Sequence, residues 1–133
     1  MEVVFFSSKA YDQQFFSKAN EEYKHHLKFL ETHLNEGTAV LANGYGAICI
    51  FVNDIVNKEA LQVLAEQGIK LVALRCAGFN NVDLGAAEEL GINIVRVPAY
   101  SPYSVAEHTV ALYLPLTVRP TGPITVLKRA ISP

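Results

Sequence analysis

The sequence contains little that would suit a secreted, membrane or nucleic-acid-binding protein. It has no tryptophan, only two cysteines among 133 residues and a formal net charge of −2. Cys49 and Cys76 lie in apolar runs, so we expect buried, reduced thiols of a cytosolic protein and no disulfide framework. Because the charges are few and scattered, the chain lacks the basic face that nucleic acid requires.

Long apolar segments are also missing. No run approaches the roughly 18 apolar residues that cross a bilayer. The first residues, Met1 to Ser7, lack the basic start of a signal peptide and instead suit a strand. We therefore expect a cytoplasmic location, with no membrane partner and no nucleic-acid partner.

The composition that is present favours one folded domain, with 50% hydrophobic and 18% charged residues. Short apolar runs alternate with amphipathic stretches. We predict strands at 3–6, 26–30, 47–52, 71–76 and 92–97, helices at 8–20, 58–67, 83–90 and 104–114, and a short helix or turn at 38–43. This alternation predicts an α/β, flavodoxin-like three-layer domain, with a parallel sheet of about five strands and helices on both faces.

Ligands of such sheets collect at the carboxyl ends of the strands. One strand end is followed by Arg75-Cys76-Ala77-Gly78 and by a helix that Asn81 or Asp83 would cap. Gly78 would allow a backbone conformation closed to other residues, and successive N–H groups there could converge on an anion. On the residues alone, a segment of this kind is more often an ordinary strand–turn–helix connection than an anion-binding site.

A second strand end leads into Pro98-Ala99-Tyr100-Ser101-Pro102. The two prolines stiffen this loop, Tyr100 would stand there with its hydroxyl free, and Ser104 would cap the next helix. A rigid connection without function is again the alternative.

Other polar features predict no separate site. We interpret Gly44-Tyr45-Gly46 as a turn, because no third glycine follows where a nucleotide-binding loop needs one. The histidines His25, His26 and His33 are expected at the surface or on an edge strand, away from the functional strand ends.

Several motifs together resemble the D-2-hydroxyacid dehydrogenase family, and within it the D-lactate dehydrogenases. They are 74–83 (LRCAGFNNVD), 95–102 (VRVPAYSP), 105–108 (VAEH), 5–12 (FFSSKAYD) and 49–54 (CIFVND), and they occur in the family's order. The resemblance extends from the first residues to about Leu114. It implies an oxidoreductase that interconverts D-lactate and pyruvate with NAD.

The resemblance also implies substrate-binding residues. The backbone N–H groups of Ala77 and Gly78 would hold the carboxylate of the 2-oxo acid, and Tyr100 would lie beside the substrate. Phe51 would form the wall that limits the substrate side chain, which suits pyruvate. Val105 would approach the nicotinamide ring of the cofactor.

The family keeps its catalytic histidine, its acidic partner, its arginine and its G-x-G-x-x-G loop in a second domain. We therefore predict that residues 1–114 form the substrate-binding domain with the start of the interdomain helix, that no catalytic residue is present, and that NAD is bound only by the complete enzyme. Family dimers form mainly through that second domain. The alternative is a non-catalytic binding module or pseudoenzyme for a small 2-oxo acid.

Residues 115–133 depart from the family, which has a long helix there. Pro115, Pro120 and Pro123 are expected to break a helix. With suitable codons, a shifted reading frame translates into a family-like helix, so we interpret this tail as frameshift-derived and expect it to be poorly ordered.

Overall fold

The computed structural model of the chain describes residues 1–99 and 101–117, with side chains described only as far as residue 111. Residues Met1–Pro98 form one compact unit, and the chain from Ala99 belongs to a second. The first unit contains β1 (Glu2–Phe5), α1 (Ala10–Tyr23), β2 (His26–Phe29), a short 3-10 helix (Ala39–Ala42), β3 (Ala47–Ile50), α2 (Lys58–Glu66), β4 (Leu71–Leu74), α3 (Leu84–Glu89) and β5 (Asn93–Arg96). The second unit contains α4 (Pro102–Thr117).

The five strands form one parallel sheet in the order β2-β1-β3-β4-β5. This is the flavodoxin-like order, so the predicted fold class is confirmed. The chain moves to one side of β1 to form β2 and to the other side to form β3. Such a reversal leaves room for a ligand beyond the carboxyl ends of the two strands.

Alternate side chains of the strands point to opposite faces of the sheet. Val4 and Ile48 are fully buried in a core that also contains Leu61 of α2. Phe5 points to the other face, where its ring centroid lies 4.7 Å from that of Phe16 in α1. Helices therefore cover both faces, as the alternating sequence predicts.

Capping side chains and glycines set the ends of the two central helices. Asn57 Oδ1 accepts a hydrogen bond from Ala60 N at the start of α2, and Asp83 does the same for Ala86 N at the start of α3. Of the two expected caps of α3, Asp83 is the one that caps. Gly68 and Gly91, with φ of 85° and 67°, follow these helices in the left-handed conformation that favours glycine.

Both boundaries of helix α4 differ from the prediction. Helix α4 begins at Pro102, so Ser104 lies in its first turn and is not its cap. Proline suits a first turn because the N–H group that it lacks would have no partner there. The helix also continues to Thr117 through Pro115, since one proline removes a hydrogen bond without ending a helix. Residues 118–133, where most of the predicted disordered tail falls, lie outside the described residues.

Candidate functional site

The turn after β4 presents two backbone donors. Ala77 and Gly78 follow the carboxyl end of that strand, and both are at least partly accessible to solvent. Within the described residues, neither N–H group has a hydrogen-bond acceptor in the protein. A free, accessible pair of N–H groups is suited to an anion.

Gly78 contributes open space to this turn. Its φ lies outside the left-handed region, so the expectation that glycine permits an unusual backbone conformation is wrong. A Cβ atom added to Gly78 would meet no protein atom within 4 Å. The space beside Gly78 is therefore open, and the fold itself would accept a side chain there.

Arg96, at the end of β5, contacts the same turn. Its Nη1 donates a hydrogen bond to the carbonyl oxygen of Ala77 at 2.8 Å. Its guanidinium carbon lies 5.1 Å from the centroid of the Phe79 ring. The turn after β4 is thus connected to the neighbouring strand through a charged side chain.

Phe51 lies beside this turn, directly after β3, and is half-buried. Its N–H donates to Asp54 Oδ2 at 2.6 Å, and its carbonyl accepts from Asn81 Nδ2 at 3.3 Å. Asn81 Nδ2 also donates to the carbonyl of Asp54 at 2.8 Å, so its amide joins the loops after β3 and β4. Asn81 therefore positions the Phe51 loop and does not cap α3.

The guanidinium of Arg75 is fully engaged by the protein. Nη1 lies 2.9 Å from Asp12 Oδ1, and Nη2 donates to the carbonyl of Phe6 at 2.6 Å. The same group lies 5.4 Å from the centroid of the Phe51 ring. These contacts give Arg75 a structural role at the end of β4.

A second polar cluster at the strand ends was missed at the sequence level. Ser7 Oγ lies 2.6 Å from His33 Nδ1 and donates to Asp54 Oδ1 at 2.6 Å. The prediction that His33 lies away from the strand ends is therefore wrong. The signal was present, because Ser7, His33 and Asp54 each follow a parallel strand and such ends meet at one edge of a sheet.

The cluster is built around a buried carboxylate. Asp54 is completely inaccessible and also accepts a hydrogen bond from Leu34 N at 2.8 Å. Ser7 has a φ of 52°, a left-handed conformation that is uncommon for a residue with a side chain. Since its oxygens accept from Ser7 Oγ and from the backbone N–H groups of Leu34 and Phe51, Asp54 stabilises three loop segments at once.

The two cysteines differ in environment. Burial raises the pKa of the Cys49 thiol to about 12, while Arg75 opposes that rise. Cys76 lies beyond the end of β4 and is only half-buried, so the expectation that it belongs to a buried strand is wrong. Burial also raises the pKa of its thiol, and Sγ lies 3.2 Å from the Gly78 carbonyl oxygen. Both thiols are free and remain protonated at neutral pH.

The remaining expected site residues belong to the second unit. Tyr100 lies outside the described residues. Val105 is on α4 and is 60% exposed. In the part of the chain that the structure describes, no three histidine, cysteine or acidic side chains are grouped as metal ligands. No helix there is both long and apolar enough to cross a membrane.

The fold and the strand-end geometry define an α/β domain with its ligand region at the carboxyl edge of a parallel sheet. The family model described as "D-isomer specific 2-hydroxyacid dehydrogenase, catalytic domain" matches residues 3–127. The chain belongs to this family. The domain boundary near Leu114 and the frameshift origin of the tail stay predictions.

Individual relatives agree with this assignment. The chain is 56% identical over 116 residues to 2-hydroxyacid dehydrogenase homolog 1 of Schizosaccharomyces pombe, covering 87% of this chain and 35% of that protein. It is 48% identical over 119 residues to D-lactate dehydrogenase of Escherichia coli, covering 90% of this chain and 36% of that protein. The chain thus spans about a third of the length of the curated relatives that it matches.

Solved structures show the same fold. The apo-structure of D-lactate dehydrogenase from Escherichia coli superposes with a TM-score of 0.79 and 48% identity, covering 87% of this chain and 37% of that one. The NAD-complexed D-isomer specific 2-hydroxyacid dehydrogenase from Lactobacillus delbrueckii ssp. bulgaricus gives a TM-score of 0.72 at 23% identity, covering 87% and 35%. The second likeness concerns the fold alone.

Proposed function

We propose that this chain binds the carboxylate of a small 2-oxo or 2-hydroxy acid for an NAD-dependent D-2-hydroxyacid dehydrogenase that interconverts pyruvate and D-lactate. The observation that carries the proposal is that Ala77 and Gly78, at the carboxyl end of β4, are accessible residues whose N–H groups have no acceptor among the described residues. Family membership supports the same assignment.

The chain's own residues bind and orient the substrate in this proposal. The two N–H groups hold the carboxylate, and the half-buried ring of Phe51 limits the space for the substrate side chain. The family resemblance further implies that Tyr100 contacts the substrate. A short side chain such as the methyl group of pyruvate suits an aromatic wall better than a branched one does.

When bound by the complete enzyme, NADH would donate the hydride in pyruvate reduction, and NAD⁺ would accept it in the reverse direction. The described residues that fit it are few: Val105 offers an exposed apolar side chain beside which a nicotinamide ring could pack. The printed sequence contains no G-x-G-x-x-G phosphate loop. We therefore assign to this chain the binding of substrate and not of the dinucleotide. We also propose that the protein is located in the cytoplasm.

Binding without turnover by these 133 residues is the second candidate. It is favoured by the engagement of Arg75 with Asp12 and Phe6, which leaves that guanidinium unable to act on a substrate. Mixing the 133-residue polypeptide with NADH and pyruvate tests it. We expect no loss of NADH absorbance, and turnover would show that these residues are catalytically sufficient.

Titration of ¹⁵N-labelled protein with oxamate, a carboxylate analogue of pyruvate, tests the binding site itself. We expect the amide resonances of Ala77 and Gly78 to shift in a saturable manner. Lactamide, which lacks the carboxylate, is the matched control and should leave them unchanged. Equal responses to both compounds, or no response to oxamate, would overturn the proposal.

A further inference from the structure

We propose that Arg96 is a positioning residue that strengthens Gly78 N–H as a donor to the substrate carboxylate, acting through the Ala77 carbonyl. This inference rests on the proposed function, because it concerns the same turn. The sequence patterns place Arg96 in the family-like segment 95–102 but assign it no role.

The carbonyl of Ala77 and the N–H of Gly78 belong to one planar peptide group. Arg96 Nη1 donates to that carbonyl at 2.8 Å, a distance typical of a charge-assisted hydrogen bond. A cation at the carbonyl end draws electron density from the nitrogen, so the N–H at the other end becomes a stronger donor. The substrate anion at Gly78 N–H and the guanidinium at the Ala77 carbonyl would thus lie at opposite ends of one polarised peptide.

Among the described residues, no carboxylate neutralises the charge of Arg96. None of the ion pairs in the described part of the chain includes Arg96, whereas Arg75 is paired with Asp12. The Arg96 guanidinium instead lies over the Phe79 ring and 3.4 Å from the carbonyl oxygen of Pro98. Its positive charge therefore remains available to stabilise an incoming anion.

The position of Arg96 follows from the register of the sheet. Arg96 pairs with Leu74, the last residue of β4, and so stands level with the start of the turn. Its side chain spans from β5 to the Ala77 carbonyl while its backbone is fixed in the parallel ladder. An arginine held in this way is pre-organised and loses little freedom when the anion binds.

Three variants test the proposal by oxamate titration and urea unfolding. Arg96→Gln removes the charge but keeps an amide donor, Arg96→Lys keeps the charge, and Lys28→Gln removes an exposed charge from β2 at the opposite edge of the sheet. We expect Arg96→Gln to weaken oxamate binding about threefold to tenfold, as the loss of one partly hydrated charge predicts. Arg96→Lys and Lys28→Gln should each stay within about twofold of the original protein.

A purely structural role predicts different results. In ligand-free Arg96→Gln, the proposal requires an upfield shift of the Gly78 amide proton and a change at the Ala77 carbonyl carbon. If Arg96 only holds the loops, Arg96→Gln should lower the free energy of unfolding. The oxamate affinity of the folded fraction should then be unchanged. Higher salt should also weaken oxamate binding to the original protein more than to Arg96→Gln.

The outcomes separate this inference from the proposed function. If the original protein fails to bind oxamate, the proposed function fails, and the two ligand-free resonances still decide whether Arg96 polarises the peptide. If the original protein binds and Arg96→Gln binds equally well, the inference alone is overturned. Should Arg96→Gln not fold, Arg96→Lys and the salt dependence of the original protein decide. Weaker oxamate binding by Arg96→Lys, together with an oxamate affinity of the original protein that does not change with salt, would count against the inference.

Discussion

Arg75 Nη1 lies 2.9 Å from Asp12 Oδ1, with the side chains only 8% and 11% exposed. The pair joins helix α1 to the end of β4, and Arg75 also donates to the carbonyl of Phe6. Removing one partner of a buried ion pair leaves the other charge uncompensated. We therefore expect Arg75→Met to lower the free energy of unfolding by about 3–5 kcal/mol in urea denaturation.

The surface pair of Lys58 and Glu89 is the matched control, since its charged atoms are 4.0 Å apart and both side chains are largely exposed. Lys58→Met should change the free energy of unfolding by less than about 1 kcal/mol. Similar losses for Lys58→Met and Arg75→Met would show that burial does not strengthen the pair with Asp12.

Gly78→Ala should separate binding from folding. The added methyl group meets no protein atom within 4 Å, so the midpoint of urea unfolding should shift little. In the proposed binding mode the added methyl group would crowd a carboxylate held by the N–H groups of Ala77 and Gly78, so oxamate affinity should fall at least about tenfold, the loss expected for one or more charge-assisted hydrogen bonds.

Gly85→Ala provides the control for Gly78→Ala. Gly85 is exposed in α3, where alanine is the better helix former by roughly 1 kcal/mol. This variant should unfold at higher urea concentration and bind oxamate normally. A Gly78→Ala protein that keeps its oxamate affinity would place the anion elsewhere.

The buried thiol of Cys49 predicts an alkaline loss of stability. Burial raises its pKa from 9.0 to about 12, so the folded state keeps the proton at pH values where the unfolded chain has released it. The contribution of this group is therefore complete below about pH 9 and declines as pH rises toward 12. The slope should approach roughly −1.4 kcal/mol per pH unit within that interval.

Urea unfolding of Cys49→Ala and of the original protein, measured between neutral and alkaline pH, isolates this slope from other titrating groups. Cys49→Ala should lose less stability per pH unit in the alkaline range. Cys76→Ala should retain most of the slope, because its thiol is far less buried. Identical pH profiles for all three proteins would contradict the assignment to Cys49.

The carboxylate of Asp54 accepts from Ser7 Oγ and from the backbone N–H groups of Leu34 and Phe51. In Asp54→Asn the amide NH₂ must face one of these donors, and the charge that strengthens the bonds is lost. We expect a loss of about 2–4 kcal/mol in the free energy of unfolding. His33→Ala, whose ring is 58% exposed, should cost under about 1 kcal/mol in the same measurement, and a larger loss would show that the histidine supports the buried carboxylate.

Periodicity and turn residues predict the elements of this fold well. The continuous apolar run at 47–52 predicts a strand buried on both faces, and every residue of the shorter observed β3 is buried. The glycines after α2 and α3 mark the helix ends. Strand ends are less predictable, because the apolar residues Phe51 and Val52 continue the run after β3 has ended at Ile50.

The site is harder to predict because its contacts join residues far apart in sequence. Ala77 and Gly78 follow a recognisable strand–turn–helix pattern, so the turn can be found from local sequence. The contact of Ser7 with His33 and Asp54 depends on strand order, and the contact of Arg96 with Ala77 depends on register. Neither property is encoded within one segment.

The strand order has a consequence for how the sheet can be assembled during synthesis. Strand β1 emerges first, β2 joins one of its edges and β3 the other, and then β4 and β5 add in turn to the edge left by their predecessor. No strand has to be inserted between two that are already paired, so the sheet can grow in the order of translation. The last open edge is β5, and its outward residue Val95 is still 49% exposed. Growth therefore ends at β5, which, like β2 at the other edge, has no further strand paired to it among the described residues and is open to pairing with another chain.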